Sequence, residues 1–120
     1  MVSRQHAQER LKFDSPKPLK FDNLSFSSLD IDADYKKVDW SDYDLIICVS
    51  LEHLENDREI LSAIPSGRKV LLSIPNIDSP DHVRVLKTNK EIEERYGSIL
   101  NIQKITDCTK IFKIVEAWSI

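Results

Sequence analysis

Two stretches of the chain are apolar at nearly every position, with no alternation. They are Leu45-Ile46-Ile47-Cys48-Val49 and Val70-Leu71-Leu72-Ser73-Ile74. A strand with this pattern is expected to be covered on both faces, as in a parallel sheet with helices on each side. The pattern predicts strands over Tyr43–Ser50 and Arg68–Ile74. Between them Asn56-Asp57 opens a helix through about Ala63, with Ile60, Leu61 and Ile64 toward the sheet, and Pro65-Ser66-Gly67 closes it. Thr88 and Glu91 have capping-box spacing, which predicts a helix to Tyr96 with Gly97 as its stop. Leu100–Thr106 and Ile111–Trp118 read as strands joined by Asp107–Lys110 alone, and a connection that short permits only an antiparallel pair.

The N-terminal region is weaker in pattern. Leu24–Ile31 alternates apolar and polar positions, which predicts a further strand. Ser3–Lys12 carries a thin apolar stripe of Val2, Ala7 and Leu11, which predicts a short helix stopped by Pro16 and Pro18. The order of elements gives an α/β fold, mainly parallel and ending in an antiparallel hairpin. Residues 1–120 form one domain in this reading, with residues 1–23 as helix and linker and 24–120 as the core.

Composition sharpens this picture mainly through glycine. The chain has only Gly67 and Gly97. Neither a GxGxG turn nor a Walker loop can be built from them, so the best-known glycine cradles for nucleotides are excluded. Net charge is -3 with His neutral, which leaves no basic footprint for nucleic acid. Cys48 and Cys108 form no CxxC pair. Cys48 sits in the most apolar run and reads as an inert, buried thiol. No signal peptide core and no span of membrane length exist in the sequence. A cytoplasmic setting is the resulting expectation.

Several motifs point further. Tyr43-Asp44 precedes the first apolar run, which breaks into Leu51-Glu52-His53-Leu54. Ile64-Pro65-Ser66-Gly67 precedes the second run, which ends in Ser73-Ile74-Pro75-Asn76. Asp81-His82-Val83-Arg84 follows. In this order and spacing the motifs resemble the C-terminal half of class I S-adenosylmethionine-dependent methyltransferases: the fourth strand with its LEHL break, the glycine turn into the fifth strand, and the SVPN and HVR runs after it. The likeness covers about Leu24 to Ile120. It implies a truncated Rossmann-like methyltransferase sheet, cut from the family order 3-2-1-4-5-7-6, with S-adenosylmethionine as cofactor and a small-molecule or protein acceptor. The family's first strand and glycine loop have no counterpart here. Either the product is truncated or the lineage has discarded half the nucleotide site, so the chain is expected to be inactive on its own. The alternative is a methyltransferase-fold module for binding or dimerisation.

The resemblance implies site residues. Asp30 would meet the adenine amino group, with Ile31 offering backbone to the ring and Ser50 and Leu51 beside the cofactor. Glu52 and His53 are the candidate catalytic pair, at the end of a parallel strand where open α/β sheets bind ligands. Asn76, Asp78, His82 and Arg84 would face the acceptor. Each has a plainer reading: Asp30 as a turn acid, Glu52 as a helix cap, His53 packed on Trp40 or Tyr43, and Arg84 in a surface ion pair worth little. No HxH, HxxxE or HExxH spacing exists, so no metal site is expected. No GxSxG turn marks a serine nucleophile. Trp40 and Trp118 read as core or interface anchors. Loss of the first two strands would bare the edge 44–49, which is expected to pair with Leu24–Leu29 or with a second copy.

Overall fold

The computed structural model describes residues 27–120. A compact unit runs from Ile31 to Ile120. The helix expected over Ser3–Lys12 lies outside the described residues, as do Leu24–Phe26.

Among the described residues four strands form one mixed sheet: β1 (Leu45–Cys48), β2 (Lys69–Pro75), β3 (Leu100–Asp107) and β4 (Phe112–Ser119). Their spatial order is β1-β2-β4-β3. β1 and β2 run parallel, with Ile46 opposite Val70. β4 lies between β2 and β3 and is antiparallel to both. The four-residue connection therefore forces the terminal pair as expected. The sheet is not mainly parallel, however, because inserting β4 makes two of its three pairings antiparallel. The register slips by one residue between Ile102 and Lys104 of β3, a bulge that bends this outer strand.

Among the described residues three short helices accompany the sheet: α1 (Ile31–Asp34), α2 (Asp57–Ser62) and α3 (Asn89–Tyr96). The Thr88 hydroxyl accepts from the Glu91 amide at 3.2 Å, and the Glu91 carboxylate reaches back to the Lys87 amide at 3.4 Å. This satisfies two amide groups at the start of α3 that have no intrahelical partner. On α2, Ile60, Leu61 and Ile64 are all buried. Leu61 and Ile64 join the core with Ile46, Val70, Leu72, Ile74, Val115 and Ala117 from the sheet and Ile92 and Tyr96 from α3. Side chains buried this fully contribute roughly 1.5–3 kcal/mol each. Gly67 sits in the turn before β2 at φ 80°, a left-handed conformation that favours glycine.

Two expectations fail here. The predicted strand Leu24–Ile31 is not one across its described half: residues 27–30 are irregular, and Ile31 opens α1. The reason is local. Asp32 turns its carboxylate onto the amides of Asn56 (2.7 Å) and Glu55 (3.0 Å), and its carbonyl accepts from the Asn56 side chain at 2.9 Å. This acid fastens the segment to the entrance of α2 instead of leaving it extended. The second failure concerns coverage. Among the described residues only one face of the sheet is packed, and Leu45, Ile47 and Val49 stand 48%, 61% and 64% exposed on the other. An unbroken apolar run records two apolar faces, not that both are covered within the same unit. Trp118 and Phe112 are also exposed. The Trp118 ring carries the Lys69 ammonium 5.2 Å from its centroid, a cation–π contact. Among the described residues β1 is the terminal strand of the sheet. Among the described residues no helix is long and apolar enough to cross a membrane.

Candidate functional site

The site lies at the C-terminal edge of the parallel pair. After β1 the chain makes a 3-10 turn over Leu51–His53. Leu51 is the buried anchor of this turn, 2% exposed. His53 is left partly exposed, while the Glu52 side chain stays mostly covered beside it. The turn closes by bonds from the His53 amide to the Ser50 carbonyl (3.1 Å) and from the Leu54 amide to the Leu51 carbonyl (3.2 Å).

A second segment, following β2, is stitched to this turn. The Val83 amide donates to the Glu52 carbonyl at 2.7 Å. The Arg84 guanidinium donates to the Leu51 carbonyl at 2.6 Å. The His53 Nδ1 lies 3.0 Å from the Asp81 carbonyl, and the His82 Nδ1 lies 3.1 Å from the Ile77 carbonyl. The two imidazoles meet edge to face with centroids 4.9 Å apart. The Glu52 Oε1 stands 3.4 Å from the His53 Nε2. Asp81 brings a further carboxylate, 3.9 Å from the His53 Nδ1. Its carboxyl is held below the usual range, first by the Ser79 hydroxyl.

The candidate residues thus separate into groups. Glu52, His53 and His82 converge. His53 finds its ring partner in His82 rather than in Trp40 or Tyr43, and the Trp40 indole donates instead to the Tyr35 carbonyl at 3.1 Å. Glu52 caps no helix, because Asp32 holds the entrance of α2. Ser50 is the half-buried residue before the turn, and Leu51 is its anchor. Asn76 is half-buried and donates its amide to the Ile111 carbonyl at 3.0 Å, while the exposed Asp78 caps the Ser79 amide. Asp30 is exposed and Ile31 half-buried at the start of α1.

Arg84 belongs to a different arrangement that sequence reading missed. Asp57 is fully buried. It accepts two bonds from Arg95 at 2.7 Å each and one from the Tyr96 hydroxyl at 2.5 Å, with Arg84 at 3.3 Å. Burial alone would raise the Asp57 carboxyl, but the bonds from Arg95 and Tyr96 and the charges of Arg84 and Arg95 outweigh it and hold the group below its ordinary range. Burial, then the bond to Asp57, pushes the Tyr96 hydroxyl well up. Arg84 is therefore half of a buried ion pair and a clamp on Leu51, not a surface cation. The available signal was an acid at the first position of a helix whose other inward positions are apolar.

Cys48 is half-buried rather than fully buried, but its thiol is inert as expected. Burial pushes its thiol up to about 11, so it stays protonated at neutral pH and is a poor nucleophile. Behind Glu52, the pocket lined by Leu51, Ile74, Arg84, Leu86 and Tyr96 holds about 10 Å³, barely the space of one water. No family model matches the chain, and no curated protein matches it.

Proposed function

We propose that this chain is a methyltransferase-like α/β domain. Its Leu51–Leu54 turn and Asn76–Arg84 loop form the edge that meets S-adenosylmethionine and the methyl acceptor. The observation that carries this reading is the strand order β1-β2-β4-β3, a parallel pair followed by an inserted antiparallel strand. It is the order 4-5-7-6 of the resembled family, and Glu52, His53 and His82 of the implied residues meet at its C-terminal edge.

In this reading Glu52 and His53 handle the acceptor. A carboxylate beside an imidazole can take a proton from a nucleophile and hold it, and an imidazole titrates near neutrality. Transfer itself depends on placing donor and acceptor in line. The pocket at this edge is far smaller than the ~300 Å³ at the low end for a small-molecule site, and the sequence has no glycine loop. The chain by itself is therefore proposed to hold the cofactor weakly and to transfer no methyl group alone.

Titration of the labelled protein with S-adenosylhomocysteine, followed by amide NMR, tests this. The reading predicts shifts confined to Asp30, Ile31 and Ser50–His53, with affinity near millimolar, about 4 kcal/mol. Unmoved amides at these positions under saturating ligand would contradict it.

A second reading is assembly of two copies. The place of β1 at the end of the sheet among the described residues and the exposed Leu45, Ile47 and Val49 favour it, since an apolar strand edge invites pairing. Sedimentation equilibrium gives the check: a dimer that Ile47→Lys dissociates supports pairing at β1, and a strict monomer removes it.

A further inference from the structure

Glu52, His53 and His82 each offer one ligand atom within 4.8 Å of the others. We propose that these three side chains bind a divalent transition-metal cation of the zinc type. The inference goes beyond methyl transfer and stands whether or not that reading survives.

The proton positions are the first argument. Each Nδ1 faces a backbone carbonyl, Asp81 for His53 and Ile77 for His82. A carbonyl only accepts, so an Nδ1–H donating to it leaves the Nε2 of that ring as the ligand atom. Metal-ligating histidines are held in this way, with the distal nitrogen free for the ion.

The second argument is the spacing of the donors. The His53 Nε2 faces the Glu52 Oε1 at 3.4 Å, a separation that a shared cation can bridge. A tetrahedral ion with bonds of ~2.0–2.2 Å sets neighbouring donors about 3.4 Å apart. The third argument is the Glu52 Oε2, which is buried and has no hydrogen-bond partner. A buried carboxylate oxygen in that state is costly unless a cation or proton compensates it.

The donors are also well supported. Glu52 lies in a turn whose carbonyl takes the Val83 amide, and the His82 amide is fixed to the Ser79 carbonyl at 2.9 Å. The nearby Asp81 carboxylate adds negative charge. Arg84, the cation closest in sequence to His82, is turned away onto Asp57 and the Leu51 carbonyl. Two imidazoles and one carboxylate suit zinc rather than magnesium or calcium, which prefer oxygen ligands. Three protein ligands leave a fourth position open, and His53 is 39% exposed there, so an incoming ligand can reach the ion.

Calorimetric titration of the full chain with Zn²⁺ tests the site. One ion should bind at micromolar strength or tighter. His53→Gln and His82→Gln should each weaken it by about tenfold or more, and Cys108→Ser should leave it unchanged. Absence of saturable binding, binding untouched by both histidine variants, or loss in Cys108→Ser overturns the proposal. Should the histidine variants fail to fold, the visible spectrum of the Co²⁺-loaded wild type decides: an intense tetrahedral band is expected, and a faint octahedral one overturns the site.

Discussion

Two clusters of charge lie next to each other in this molecule and are built in opposite ways. Around Asp57 the polar groups are matched: two bonds from Arg95, one from Tyr96, and the Arg84 charge at 3.3 Å. Around Glu52 they are not: one carboxylate oxygen faces the His53 Nε2 at 3.4 Å, and the other is buried without a hydrogen-bond partner. Arg84 links the two, clamping the turn that carries Glu52 while paired to Asp57. The contrast teaches which cluster holds the fold and which is left open for a ligand. A saturated buried network stabilises only as a whole, whereas an unsaturated one stores a cost that binding can relieve.

Breaking the saturated cluster should have the largest effect. Asp57→Ala leaves the Arg95 and Arg84 charges without their buried partner, and removing one side of such a pair costs about 3–5 kcal/mol. Against a total of roughly 5–15 kcal/mol for a domain, urea melts should find this variant mostly unfolded or close to it. A loss below ~1 kcal/mol, the worth of a surface pair, would put Asp57 on the same footing as any exposed acid.

The same carboxyl should mark the acid limb of stability. Its pKa in the folded state lies below the ordinary 3.8. The folded state therefore holds the proton less tightly than the unfolded chain, so the contribution is complete above the unfolded value. It is lost as pH falls below that value and through the folded one. Urea melts from about pH 5 to about pH 2 should show a steeper decline in wild type than in Asp57→Asn. Parallel declines would remove Asp57 from the acid limb.

A smaller step in the same cluster is Tyr96→Phe. It deletes one hydroxyl and leaves the ring packed, so about 1–2 kcal/mol should be lost, within the range for a hydrogen bond to a charged group. A thermal melt reads this directly, and an unchanged midpoint would mean that Arg95 alone satisfies the acid.

The sequence made much of the fold legible because its signals were local. The capping box at Thr88 and Glu91, the short Asp107–Lys110 connection and the two apolar runs each determine structure within a few residues. What stayed hidden required distant partners. Asp57 meets Arg95 and Tyr96 across 38 and 39 positions, and no periodicity encodes that meeting. His53 and His82 fall outside every compact metal spacing, yet the loop after β2 folds back to bring them together. The strand expected at Leu24–Ile31 shows the opposite limit: its alternation was real, but over its described residues 27–31 no strand forms, and Asp32 beside it is taken up by the amides of Glu55 and Asn56. The resemblance named Glu52 and His53 but not their meeting with His82, and the ion pair expected for Arg84 at the surface is instead a buried one with Asp57.

The central claim is that the Glu52 cluster is kept open for a cation while the Asp57 cluster holds the fold. It is tested most directly by thermal melts of wild type and Glu52→Gln, each with and without Zn²⁺. Without metal, Glu52→Gln should match or exceed wild type, because an amide N–H₂ can donate to the His53 Nε2 where a carboxylate oxygen cannot. With Zn²⁺ at about a hundredfold over its Kd, wild type alone should gain about 2.7 kcal/mol. A Glu52→Gln protein that is more than ~1 kcal/mol weaker without metal, or one that gains as much as wild type with it, would contradict the account.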